Sequence, residues 1–69
     1  MITDAEIENW FSYHTPTNEQ RIKYVDIRDA AKILAYVIVH NTPSSADQSA
    51  AIRLLRECVM TANAAIACS

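Results

Sequence analysis

Sixty-nine residues make one small domain, with 51% of them hydrophobic and only 20% charged. A chain this short buries only about 60% of the surface its unfolded form exposes, so without disulfides or metals it leans on further copies of itself. The net charge of −2 excludes a general nucleic-acid binder, which needs a basic surplus, and the lack of any glycine excludes Gly-rich nucleotide fingerprints and tight primed hairpins.

Thr3-Asp4-Ala5-Glu6 has the form of a capping box, in which a hydroxyl and a carboxylate reciprocally satisfy free backbone donors. It opens a short helix over about residues 4–11, with Ile7, Trp10 and Phe11 on its apolar side. Tyr13-His14-Thr15-Pro16 breaks that helix, because the residue before proline is pushed out of α geometry. Thr17-Asn18-Glu19-Gln20 is a second box and launches a long helix over about 18–40, which Asn41-Thr42-Pro43 stops. Ser45-Ala46-Asp47-Gln48 is a third box, starting a last helix over about 46–67.

No segment alternates like a strand, so the expected fold class is all-α: a short N-terminal helix and a long antiparallel helical hairpin in a single domain. The two long helices each run roughly 33 Å, and a joining loop of about four residues forces them antiparallel. Each carries a seam spaced at three and four: Tyr24, Ile27, Ala31, Leu34 and Ile38 on the first, Ile52, Leu55, Val59, Ala62 and Ile66 on the second. These seams are the expected hairpin core, with Trp10 and Phe11 folding over one end. Ala30, Ile33 and Val37 form a second apolar stripe, and Leu54, Cys58 and Ala65 do likewise on the last helix. A helix apolar on two sides is buried on two sides, so the expected assembly is a homo-oligomer.

Arg21, Arg28 and Lys32 fall within about 40° of one another on the helical wheel, flanked by Tyr24. Arg28 and Lys32 are an i,i+4 like-charge pair that costs a few tenths of a kcal/mol, a cost that an anion between them would reverse. On the last helix Arg53 and Arg56 lie beside the seam, with Asn63 one heptad beyond Arg56. Tyr13 and His14 precede the positive end of the long helix, where an aromatic, an imidazole, Thr17 and free N–H groups suit a base and a phosphate. Each feature also reads as an ordinary solvated face, and the residues by themselves leave open a structural or regulatory helical oligomer with no nucleotide ligand.

Catalysis finds no support. His14 and His40 stand about 35 Å or more apart at opposite ends of the long helix, and no CxxC, HExxH or paired Cys/His spacing occurs. No catalytic residue, metal ligand or cofactor is expected. Cys58 and Cys68 lie about 15 Å apart along one helix, too far for a bridge within the chain. Met1 to Phe11 has no basic region of the kind that opens a signal peptide, and the longest apolar run, Ile33 to Val39, is far shorter than a membrane span. The expectation is a reduced, cytoplasmic protein.

Four stretches carry a specific likeness: Phe11-Ser12-Tyr13-His14-Thr15-Pro16-Thr17; Tyr24 with Ile27-Arg28-Asp29-Ala30-Ala31-Lys32; Ser44 through Ala51; and Arg56 through Ala67. The most distinctive parts are the Tyr-His-x-Pro-Thr opening and the closing Met60-Thr61-Ala62-Asn63-Ala64-Ala65-Ile66-Ala67. Together they resemble the hairpin domain shared by phage anti-CBASS and anti-Thoeris sponge proteins, over about residues 10–67.

The resemblance implies a phage-encoded sponge in the cytoplasm of the infected cell. It would sequester cyclic dinucleotides of the cGAMP kind without cleaving them, so that CBASS-type host defence is never triggered. It implies a hexamer whose dinucleotide pockets are shared by two subunits, with cyclic trinucleotides held in some members where three subunits meet. DNA and membranes are not implied as partners. By position, Tyr13 would stack on a base and Arg28, standing where relatives carry Lys, would meet a phosphate, with His14, Thr17, Lys32, Tyr24 and Asn63 nearby. Ala30 replaces a Thr of the best-described members, and Ala64 stands where some relatives place an Arg for trinucleotides.

Overall fold

The computed structural model describes residues 1–68 and contains three helices, α1 (Asp4–Trp10), α2 (Asn18–Asn41) and α3 (Ala46–Ala67), with no strand among them. Each begins at a side-chain cap. The Thr3, Thr17 and Ser45 hydroxyls accept from the backbone N–H of Glu6, Gln20 and Gln48, each at 3.1 Å. Only the middle cap closes reciprocally, with the Thr17 N–H donating to Gln20 Oε1 at 2.9 Å.

The outer two caps differ from the expected boxes for local reasons. Glu6 takes a hydrogen bond from the Thr3 hydroxyl at 3.1 Å. Gln48 turns its amide back to the end of α2, donating to the Val39 and Thr42 carbonyls at 3.3 and 3.1 Å and to Thr42 Oγ1 at 3.1 Å. Those contacts satisfy groups that a helix C-terminus leaves free. The Asn41 amide and Thr42 hydroxyl cover two more, donating to the Val37 and Ile38 carbonyls at 2.7 Å each. Thr42 is extended ahead of Pro43, and α2 stops there.

Thr17→Ala should therefore destabilise the fold by about 1 kcal/mol and lower a thermal midpoint by roughly 4–8 °C at fixed protein concentration. An unchanged midpoint would mean that this box contributes nothing.

Gln20 at the start of α2 donates to the Ile66 carbonyl near the end of α3, while Gln48 at the start of α3 reaches Val39 near the end of α2. The hairpin is antiparallel. Along its seam Tyr24, Ile27, Ala31, Ala35 and Ile38 of α2 are half-buried against Ile52, Leu55, Val59, Ala62 and Ile66 of α3. Leu34, expected in the seam, is 47% exposed, and Ala35 takes its place. At 100° per residue Leu34 stands at the edge of the seam's arc while Ala35 continues the line through Ala31.

α1 sits at the end of α3. Asn9 Nδ2 donates to the Cys68 carbonyl at 3.0 Å, and Trp10 borders a recess with Thr61, Ala64, Ala65 and Cys68. Phe11 does not fold over the hairpin as expected: it is 82% exposed. α1 ends at Trp10, and Phe11 follows it at the C-cap, its N–H donating to the Ile7 carbonyl.

The molecule measures 44 × 31 × 14 Å. The thin dimension is about one helix with its side chains, so the hairpin is a single layer with two open faces. No described residue is fully buried. The radius of gyration is 15.2 Å, against about 11 Å for a compact domain of this length. The accessible surface of 5694 Å² likewise exceeds the roughly 4,300 Å² of a compact monomer of this mass.

Candidate functional site

The two faces differ. In an antiparallel pair, stripes displaced in the same rotational sense from their seams emerge on the same face. Ala30, Ile33 and Val37 of α2 therefore share one face with Leu54 and Cys58 of α3. Ile33, Val37 and Leu54 are 65%, 50% and 63% exposed there.

The opposite face carries a groove of about 490 Å³ between the helices, within the size range of small-molecule sites. Half-buried Ala31, Ala35, Ile52, Leu55 and Val59 form its floor. Arg28 and Lys32 of α2 and Arg56 of α3 are the charged residues of its lining, and no acid is among them. All three cations are exposed, and none has an ion pair or side-chain hydrogen bond within the described residues. In a chain of net charge −2 with six Lys and Arg in all, half the cations thus converge on one apolar trough. Their aliphatic stems wall it while the heads stay in water. Such a site offers methylene surface to a flat ring and charge to an anion.

The helical register adds two more of the expected residues to this face. Tyr24 lies one turn before Arg28 and is half-buried, and Asn63 lies nearly two turns after Arg56. Asn63 Oδ1 is buried and has no hydrogen-bond partner. An orphaned acceptor of this kind costs about 1–3 kcal/mol unless a further group reaches it.

Tyr13, His14 and Thr17 are elsewhere. Tyr13 is 86% exposed in the α1–α2 link. The His14 Nε2–H donates to the Asn9 carbonyl at 2.6 Å, tying the link back onto α1. The Thr17 hydroxyl is engaged in its cap. About 16 Å of helix separates Thr17 from Arg28, and the groove lining includes none of these three. Arg21 also leaves the group: its guanidinium donates to Asn18 Oδ1 at 3.4 Å and borders a recess with Ile22, Val25 and Asp26.

Arg56 was legible in the sequence only as one of two cations on a wet face. Its meeting with Arg28 and Lys32 depends on the register of α2 against α3. Among the described residues no three His, Cys, Asp or Glu side chains are grouped to hold a metal ion, and no helix is long and apolar enough to cross a membrane.

No curated protein and no solved structure matches the chain. A family model does, the one described as Acb2/Tad1, hairpin domain, over residues 3–67. The match takes in both long helices, the loop between them and the link that carries Tyr13. On that extent, the chain belongs to the Acb2/Tad1 hairpin family, the anti-CBASS and anti-Thoeris sponge proteins.

Proposed function

We propose that this protein is a phage sponge that binds cyclic dinucleotides of the cGAMP kind and holds them uncleaved, withholding the signal from a CBASS-type effector. The observation that carries the reading is the meeting of Arg28, Lys32 and Arg56 over an apolar floor, without an acid among the groove's lining residues. A ligand with two phosphates and two flat bases matches both halves of that surface. Family membership supplies the ligand class.

The assembly is part of the proposal. One hairpin offers an open trough on one side and an apolar stripe on the other, so a ligand is enclosed only when a second copy closes over it. Tyr13 fits the same arrangement. It lies far along α2 from Arg28, so a ligand touching both is met by Tyr13 of a second copy, consistent with pockets shared by two subunits of a hexamer. His14 and Thr17 would then serve mainly by holding the Tyr13 link in place. A cyclic trinucleotide site is a weaker fit, because Ala64 offers no charge.

The test is binding without turnover. Cyclic GMP–AMP incubated with the protein and released by heating should be recovered intact in stoichiometric amount. Linear product above a no-protein control would make the protein an enzyme and defeat the proposal. A flat titration would defeat it too, leaving a structural helical oligomer whose cations serve only its surface.

A further inference from the structure

The groove does not end at Lys32. A second recess, of about 270 Å³, is lined by Lys32, Ala35, Tyr36, Val39 and Ile52. It shares Lys32, Ala35 and Ile52 with the first, so the two form one continuous strip along the hairpin toward the α2–α3 loop. Tyr36 stands one helical turn beyond Lys32 and is 58% exposed. Its ring stacks on the His40 imidazole, with centroids 6.2 Å apart and planes at 16°. That contact places the exposed ring beside the recess and limits its rotation, so less freedom is lost on binding.

We propose that this strip seats one nucleotide unit of the ligand, with a phosphate between Arg28, Lys32 and Arg56 and its base against Tyr36. The inference rests on the cyclic-dinucleotide reading and adds two residues to it, Arg56 from the opposite helix and Tyr36 as a base platform. Three observations support it. Arg56 brings to the trough the one cation contributed by α3, so the charge comes from both walls. Tyr36 follows Lys32, the nearest of the cations on its helix, at a single turn, about 6 Å along the axis, which suits the offset between a phosphate and the base of its own nucleotide. The floor between them is methyl and methylene surface from Ala35 and Ile52, which accepts a sugar edge without an unpaired polar group.

The experiment is a calorimetric titration of cyclic GMP–AMP into the parent, Arg56→Ala, Arg56→Lys, Tyr36→Ala, Tyr36→Phe and Arg28→Ala. Mass by light scattering and helical signal are recorded for each. Arg56→Ala should weaken binding about 10-fold or more, and Arg56→Lys should recover part of the loss. Tyr36→Ala should weaken it roughly 5- to 150-fold, the range for losing a base stack, whereas Tyr36→Phe should bind like the parent. Raising the salt should narrow the gap between Arg56→Ala and the parent but not that of Tyr36→Ala, because only the first removes a charge contact.

Parental affinity in both alanine variants, with binding lost in Arg28→Ala, would overturn this inference and leave the sponge reading standing. A changed mass in either variant would overturn it as well, because Arg56 or Tyr36 would then serve to hold the assembly together and not to hold the ligand. No binding by the parent would defeat both.

Discussion

Ile33→Glu should break the assembly. The parent is expected to sediment at several times its chain mass of 7.7 kDa at micromolar concentration, and the variant to approach that mass with a weakened helical signal. Ile33 is 65% exposed in one chain, and Val37 and Leu54 lie on the same face at 50% and 63%. Nothing among the described residues covers them, and a single layer 14 Å thick has no second layer to do so. Burying an unpaired carboxylate against another copy costs several kcal/mol, and symmetry repeats that cost in every subunit. Because no described residue is fully buried in the isolated chain, losing the partner should also cost much of the fold. A parent that sediments as a fully helical monomer would end this account, since its apolar face would then be stable in water.

Removing Tyr13 or Arg28, the two residues proposed to hold the ligand, should cost most of the binding while leaving the oligomer intact. Tyr13→Ala is expected to weaken cyclic-dinucleotide binding by about 1–3 kcal/mol, the value of an aromatic–base stack. Arg28→Ala should cost about 1.5–3 kcal/mol through a lost charge-assisted hydrogen bond to phosphate. Neither side chain belongs to the Ile33 face, and both are exposed in one chain, so mass and helical signal should match the parent.

Arg53→Ala is the control. It removes the same charge from α3, yet Arg53 is not among the groove's lining residues. If bulk charge governed affinity, Arg53→Ala would weaken binding as much as Arg28→Ala. Isothermal titration separates the cases. Three variants that bind like the parent would show that the exposed cations are only a solvated surface and that Tyr13 and Arg28 do not carry the ligand.

These two results would also separate what the hairpin's two faces do. The apolar face should control mass and the cationic face affinity. Loss of both properties from either substitution would mean that the ligand site and the subunit contact are one surface.

Much of this protein could be read along the chain. Thr3, Thr17 and Ser45 start its helices and Pro16 and Pro43 follow their breaks, because capping and proline sterics act over three or four residues. The α3 seam from Ile52 to Ile66 was readable for the same reason: a 3.6-residue period is local geometry. What lay beyond reach depends on contacts between distant segments. Gln48 looked like half of a capping box and instead ties down the end of α2, a choice made only once the loop brings those carbonyls within reach. Leu34 is the exception of local origin, since at 100° per residue Ala35 continues the line through Ala31 and Leu34 stands at its edge. Phe11 looked like core, but with α1 ended at Trp10 it faces water. The convergence of Arg56 with Arg28 and Lys32 is likewise a product of helix register, which no local pattern encodes. The sequence by itself determined three helices, their caps and an excess of apolar surface. The tertiary structure decided which cations share a groove, since that requires two helices to be placed side by side before any pair of charges can be compared.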